Sequence, residues 1–175
     1  MLCAPLVTFT PVLVKAVFQG GAGRFSVALV AFGAGGLLGA AGLLSIAPGV
    51  DRRRLASGFA LAHGAVLVLT ALNPWFWGLP PLLVLAGAAM TVSNTAANSL
   101  LQATANPRLL GRTVSLYMLA MRGGISLGAL LTGAAVSLLG VQRTLLLDGV
   151  AALLVQVVLA RMWFRTPLPN GSAIT

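Results

Sequence analysis

Residues 113–164 read TVSLYMLAMRGGISLGALLTGAAVSLLGVQRTLLLDGVAALLVQVVLARMWF, two long apolar stretches that meet at a very short polar connector. A helix rises about 1.5 Å per residue, so about 20 apolar residues cross a hydrocarbon core of roughly 30 Å. Each stretch has that length. Because only residues around 140–143 separate them, we predict that the two helices pack as an antiparallel hairpin.

Three further stretches of this kind precede the hairpin. The predicted spans lie at about 25–48, 54–72, 75–105, 112–139 and 141–164. The apolar run within residues 2–14 would cross about half to two-thirds of the hydrocarbon, so residues 1–18 are predicted to form a partial transmembrane helix. The predicted fold is therefore all-α, a polytopic membrane helix bundle over residues 19–165 with five full transmembrane helices, and residues 166–175 form a cytoplasmic tail.

The composition and the placement of charge agree with a bilayer environment. The chain is 58% hydrophobic and 7% charged, whereas soluble domains contain about 25% charged residues. A net charge of +9 would by itself suit nucleic acid. If the spans alternate, however, one side holds seven of the basic residues, namely Arg52, Arg53, Arg54, Arg108, Arg112, Arg161 and Arg165. That side and the C-terminus are predicted to be cytoplasmic, and no nucleic-acid partner is expected because lipid-length apolar runs separate the arginines.

The sequence lacks the patterns typical of enzymes and metal sites. Cys3 is the single cysteine, and no nucleophile and base constellation, metal cluster or phosphate-binding loop is present. We therefore predict no enzymatic activity, no metal and no cofactor.

A stripe of amides lies on the third span. Asn94, Asn98 and Gln102 follow one another at four-residue steps, which keeps them on one helix face. Polar groups inside a membrane usually face the bundle interior or a wet cavity. We interpret the stripe as the lining of a substrate cavity, with structural hydrogen bonds between helices as the alternative.

Three further polar residues lie inside predicted spans. Arg122 and His63 lie at similar depths; Arg122 is a candidate for substrate contact, or else for snorkelling or a structural pair, and His63 for a helix contact or a polar relay. Asp148 is the only carboxylate within a span. It is a candidate for a proton relay, with capping or pairing with Arg143 as the alternative.

Glycines at four-residue spacing indicate close helix packing. Gly35 with Gly39 and Gly124 with Gly128 each place two small residues on one face, where another backbone can approach closely. The sequence leaves open whether these contacts are static or slide during a transport cycle.

Several short motifs carry a family resemblance. They are NSLLQ at 98–102, Asn106-Pro107, GRTVSLYM at 111–118, RGGISLG at 122–128, and Asp51 followed by three arginines. Together they resemble the C-terminal half of a major facilitator superfamily exporter, of the bacterial group that includes enterobactin and macrolide efflux proteins. The resemblance implies that the five spans are helices eight to twelve of a twelve-helix transporter of the bacterial inner membrane, and that a six-helix N-terminal half is missing.

The resemblance also implies roles for particular residues. It places Asn94, Asn98 and Gln102 on the substrate path, because the tenth helix lines the central cavity in such transporters. The connector of Asp51 and Arg52 to Arg54 is similar to the family's cytoplasmic gate motif, and Asp51, Arg52 and Arg112 are expected to act in gating.

The leading hypothesis is the C-terminal part of a secondary-active exporter of drugs or other small molecules, working by alternating access about a midplane site and not competent alone. The expected partners are the lipid bilayer, the missing half, a small-molecule substrate and, for a relay through Asp148, protons. The alternative hypothesis is a non-transporting membrane interaction or assembly protein, or a truncated remnant.

Overall fold

A computed structural model describes residues 10–12, 14, 15, 21–45 and 50–165. Of residues 163–165 only the backbone is described. The long helices are α1 (Ala22–Leu44), α2 (Arg52–Leu72), α3 (Leu79–Thr104), α4 (Leu110–Leu139) and α5 (Val141–Arg165). Residues 10–12, 14 and 15 are helical as well. The tail at 166–175 and most of the predicted partial helix, including Cys3, lie outside the described residues.

The five helices are long and apolar enough to cross a membrane, with mean hydropathies of 1.5 to 2.1 over their most apolar windows. No strand occurs in the described ranges. The predicted all-α bundle of five membrane-length helices and a short N-terminal helix is confirmed. This is a multi-pass membrane protein.

Side-chain caps and short 3-10 turns set the ends of several helices. Asp51 precedes α2 and accepts a hydrogen bond from the Arg53 backbone N–H at 2.9 Å. The 3-10 turn Phe76–Gly78 delays α3 until Leu79, beyond the predicted start at 75. Pro80 and Pro81 then fall in the first turn of α3, where helices need no backbone donor. The prolines therefore start the helix and do not interrupt it.

The helices pack unequally. α3 packs against α1 on one side and α2 on the other, and α2 also packs against α5. The most deeply buried leucines, Leu67, Leu79, Leu83 and Leu145, come from these contacts. α4 touches α5 and α3 only lightly, and Gly124 and Thr132 are its only buried residues.

Glycines bring the backbones of α1 and α3 together. A methyl group on Gly39 would lie 2.7 Å from the Ala88 carbonyl oxygen, and one on Gly35 would overlap the Val84 carbonyl oxygen. Gly87 on α3 has the same relation to the Phe32 carbonyl oxygen. The predicted Gly35 and Gly39 face is thus a close helix contact, as expected where apolar side chains gain little by leaving lipid. Of the second predicted pair, Gly124 is buried and Gly128 half-buried.

The α4–α5 connector is a tight turn at Gly140. Its φ of +81° is the only positive glycine φ in the described part of the chain, and this conformation carries no steric cost for glycine. The Thr144 hydroxyl donates a hydrogen bond to the Gly140 carbonyl at 2.8 Å. The turn fixes α4 and α5 as the predicted antiparallel hairpin.

Candidate functional site

A polar pocket of about 200 Å³ lies between α3 and α4. α3 contributes Asn94, Thr95 and Asn98, and α4 contributes Tyr117, Met118 and Met121. Asn94 is exposed and Asn98 half-buried, so a molecule in the pocket can reach both amides. The pocket offers amide and phenol groups for hydrogen bonds beside polarisable thioethers, which adapt to varied apolar shapes.

The structure brings two of the three predicted amides into this pocket. The third, Gln102, lies one turn nearer the end of α3, where its Nε2 donates a hydrogen bond to Asn98 Oδ1 at 3.2 Å. Gln102 therefore orients Asn98 and does not line the pocket itself. Arg122 is exposed on α4 next to the lining residue Met121, and no ion pair involves it within the described ranges.

The α4 side of the pocket was not predicted from the sequence. Tyr117 and Met121 share a helix face at four-residue spacing, and this signal was available. The turn at Pro107–Leu109 reverses the chain, so residues equally far from that turn lie at equal depth. Counting from it places Met121 level with Asn94 and Tyr117 level with Asn98, to within a helical turn.

The predicted gating residues lie at the arginine-rich end of the bundle. The Asp51 carboxylate pairs with Arg54 at 3.6 Å, whereas Arg52 and Arg112 are exposed in the first turns of α2 and α4. Both members of the ion pair are largely solvent-accessible, and such exposed pairs contribute little to stability, about 0–1 kcal/mol.

His63 links two helices in the buried core. It is 2% exposed, and its Nδ1 lies 2.9 Å from the Ala86 carbonyl oxygen on α3. This corresponds to the helix contact expected from the sequence. Arg122, which the sequence places at a similar depth, is exposed on α4.

Asp148 lies between α4 and α5. Its Oδ2 accepts a hydrogen bond from the Thr132 hydroxyl at 2.9 Å, and Thr132 is 4% exposed. Arg143, the partner considered from the sequence, is exposed nearer the turn. Thr132 could have been found by counting, since it precedes Gly140 by as many residues as Asp148 follows it.

A comparison with protein families gives one finding. A major facilitator superfamily model described as "transmembrane secretion effector" matches residues 2–174. No curated protein and no solved structure matches the chain. A match over nearly all of the sequence, together with five membrane-length helices and an intramembrane polar pocket, shows that this chain belongs to the transmembrane secretion effector family of the major facilitator superfamily.

Proposed function

We propose that this chain forms the C-terminal helix bundle of a secondary-active exporter of small molecules and moves its substrate by alternating access. The single observation that carries the proposal is the polar pocket between α3 and α4, formed by Asn94 and Asn98 opposite Tyr117. Intramembrane polar groups that face a cavity are typical of transport pathways. The proposed membrane is the bacterial inner membrane, with the arginine-rich end in the cytoplasm.

The lining suggests the class of substrate. Amides and a phenol can exchange hydrogen bonds with neutral polar groups, and Met118 and Met121 can pack against variable apolar parts. Arg122, a helical turn beyond Met118, would favour substrates that carry an acidic or strongly accepting group. We therefore infer an amphipathic small molecule as substrate.

The size of the pocket supports a site shared with a second bundle. Its volume of about 200 Å³ is below the roughly 300–1,000 Å³ usual for drug-sized ligands. α4 exposes a long apolar face that includes Leu119, Leu130 and Leu131. A complementary six-helix bundle packed near this face would enclose the site, as alternating access about a midplane site requires.

Asp51, Arg52 and Arg112 are proposed gate residues, since all three lie at the same end of the bundle, at the starts of α2 and α4. Asp148 and His63 are proposed polar relay positions. Asp148 is the stronger of the two, because its carboxylate is half-buried between helices that pack only lightly.

The test is efflux of fluorescein, an amphipathic organic anion, from cells that express the chain together with a complementary six-helix bundle of the same family. Asn98→Ala should reduce efflux about fivefold, the effect of losing one hydrogen bond of about 1 kcal/mol. Ser137→Ala is the matched control, because Ser137 is exposed on α4 and bonds to its own helix.

Expression of the chain alone should give no efflux. Strong efflux from the 175 residues alone would overturn the requirement for a second bundle. A stable homo-oligomer with no efflux in any combination would favour an assembly protein.

A further inference from the structure

The hydrogen bond between Gln102 and Asn98 decides which end of the Asn98 amide is left for a ligand. Side chains on a helix lean toward its N-terminus, so Gln102 leans over Asn98, and its Nε2 donates to Asn98 Oδ1 at 3.2 Å. In a planar amide the oxygen and the nitrogen lie on opposite sides of the carbonyl carbon, so Asn98 Nδ2 lies on the side away from Gln102. Within the described ranges this nitrogen has no hydrogen-bond partner.

The other polar side chains of the pocket have no partner in the protein either. Asn94, Thr95 and Tyr117 line the pocket, and in the part of the chain that the structure describes none of their side chains makes a hydrogen bond. An amide or a hydroxyl group can donate or accept, so these three adapt to a ligand of either kind. Asn98 differs from them, because Gln102 holds its oxygen and leaves its N–H donors.

No carboxylate offsets these donors. The protein has two acidic residues, Asp51 and Asp148, and neither lines the pocket. Arg122, next to the lining residue Met121, can only donate. A ligand that placed its own donor at Asn98 would leave that donor and the Asn98 N–H groups unpaired, which costs more than a hydrogen bond gains. An acceptor on the ligand is therefore the complement of this side of the pocket.

We propose that Gln102 is a positioning residue that makes the polar pocket selective for hydrogen-bond acceptors. By holding the Asn98 oxygen, Gln102 presents the Asn98 N–H groups to a carbonyl, sulfonyl or carboxylate oxygen of the ligand. Molecules whose polar group can only donate are disfavoured. This role rests on the proposed function of the pocket as the substrate site, and it narrows the amphipathic substrates to those with an acceptor at this point.

Three tricyclic molecules of similar shape provide the test. At the same position of the ring system, fluorenone carries a carbonyl acceptor, carbazole carries an N–H donor, and fluorene carries neither. The full chain is reconstituted in lipid nanodiscs, and benzophenone is photocrosslinked to the pocket methionines Met118 and Met121. Mass spectrometry of the α4 peptides then measures how far each tricyclic molecule protects these methionines.

The wild type should prefer the acceptor. We expect fluorenone to protect at a concentration about fivefold lower than carbazole, the factor that corresponds to one net hydrogen bond. Fluorene should protect less well than fluorenone, because it fills the same space without accepting from Asn98.

Two variants change the orientation of Asn98 without altering a lining residue. Gln102→Ala removes the donor, so the Asn98 amide can turn either way and the preference for fluorenone should fall below about twofold. Gln102→Glu replaces the donor with a carboxylate, which accepts from Asn98 Nδ2 and turns the Asn98 oxygen toward the ligand. Gln102 is exposed, two residues before the end of α3, so this carboxylate is ionised at about pH 8. The preference should then reverse in favour of carbazole.

The matched control is Ala103→Glu. Ala103 is exposed at the same end of α3, but it is five residues from Asn98 and lies off the helix face that Asn98 and Gln102 share. The variant adds the same charge without reaching the Asn98 amide, so it should keep the preference for fluorenone. A monodisperse elution profile and an unchanged melting temperature establish that each variant is folded.

The outcomes separate the role of Gln102 from the proposed function. Equal protection by fluorenone and carbazole in the wild type, an unchanged preference in Gln102→Glu, or a reversal in Ala103→Glu would overturn the role of Gln102 alone. If none of the three molecules protects Met118 and Met121, the pocket is not a binding site, and the proposed function fails with it. Efflux does not enter the measurement, so a chain that exports nothing can still show the expected preference.

Discussion

α3 and α4 are equally hydrophobic and yet differ in their environment. The most apolar windows of both spans have a mean hydropathy of 1.5, but 33% of the α3 window is buried within the protein, against 6% of the α4 window. α3 lies between α1 and α2, with glycine, alanine and leucine at the contacts. α4 touches its neighbours lightly and exposes leucines along most of its length.

The difference shows what hydropathy reports in a membrane protein. Hydropathy shows that a helix lies in lipid. It does not show which neighbours the helix has, because a leucine side chain is about as stable against lipid as against another helix. The small residues and intramembrane polar groups mark where protein meets protein. In α3 these are Gly87, Ala86 and Ser93, each of which contacts another helix. In α4 the buried residues are the small Gly124 and the polar Thr132, which donates a hydrogen bond to Asp148 on α5.

The largest effect is expected where α1 and α3 meet. Gly87→Leu would drive a side chain into the Phe32 backbone, which cannot move as a flexible side chain can. We expect a loss of stability beyond the roughly 1–3 kcal/mol typical of overpacking, and aggregation in detergent. Fluorescence-detected size-exclusion chromatography with heating measures this.

The matched control is Gly33→Leu, on α1, where an added methyl group has nothing within 4 Å. It should stay within about 0.5 kcal/mol of the wild type. If the two variants elute and melt alike, the tight contact between α1 and α3 is wrong.

A smaller effect is expected from shortening leucines. Leu83 on α3 is 1% exposed and Leu130 on α4 is 71% exposed. Leu83→Ala should cost about 2 kcal/mol, at the low end for a buried leucine, because lipid replaces part of the lost contacts when the helices separate. Leu130→Ala should cost close to nothing in the chain alone. Denaturation in SDS titrations compares the two.

The Leu83→Ala and Leu130→Ala variants can also be compared in the presence of a complementary bundle. If Leu130→Ala then weakens the complex while Leu83→Ala still lowers the stability of the chain, the exposed side of α4 is an interface. Equal costs for both variants in the isolated chain would remove the contrast between α3 and α4.

The smallest effect is expected at the link between α4 and α5. A double-mutant cycle of Thr132→Val and Asp148→Ala should give a coupling energy of about 0.6 kcal/mol, the average for hydrogen bonds between membrane helices. SDS titrations of the four proteins measure it. Ser126→Ala with Asp148→Ala is the control cycle, because Ser126 is exposed and bonds to the Arg122 carbonyl of its own helix. A coupling as large as that with Thr132 would contradict a direct bond.

Much of the architecture could be predicted from the sequence. The five spans, the hairpin at Gly140 and the Gly35–Gly39 contact follow from lengths and spacings, because a bilayer allows few other arrangements of apolar helices. The amide stripe predicted Asn94 and Asn98 as polar lining, and they line the polar pocket. Their role in substrate binding stays a prediction.

Other features could not be predicted with the same reasoning. Gln102 continues the stripe in sequence but bonds to Asn98 and leaves the pocket. Gly149, which sequence spacing did not single out, lets α5 approach α2 so closely that an added methyl group would lie 2.8 Å from a Val68 methyl carbon. Such contacts depend on which helices are neighbours. Because every span has several faces with small residues, the sequence does not show which face meets another helix.

The sequence alone determined that the helices lie in a lipid bilayer and which end of the bundle is basic. Apolar length fixes that the segments lie in lipid, and the placement of arginines fixes one end of the bundle as the basic one. Only the tertiary structure decided which helix is central, which polar groups meet, and where the polar pocket lies. The physical reason is that lipid gives apolar faces no preference among partners, so the neighbours are chosen by the fit of small residues and a few hydrogen bonds in three dimensions.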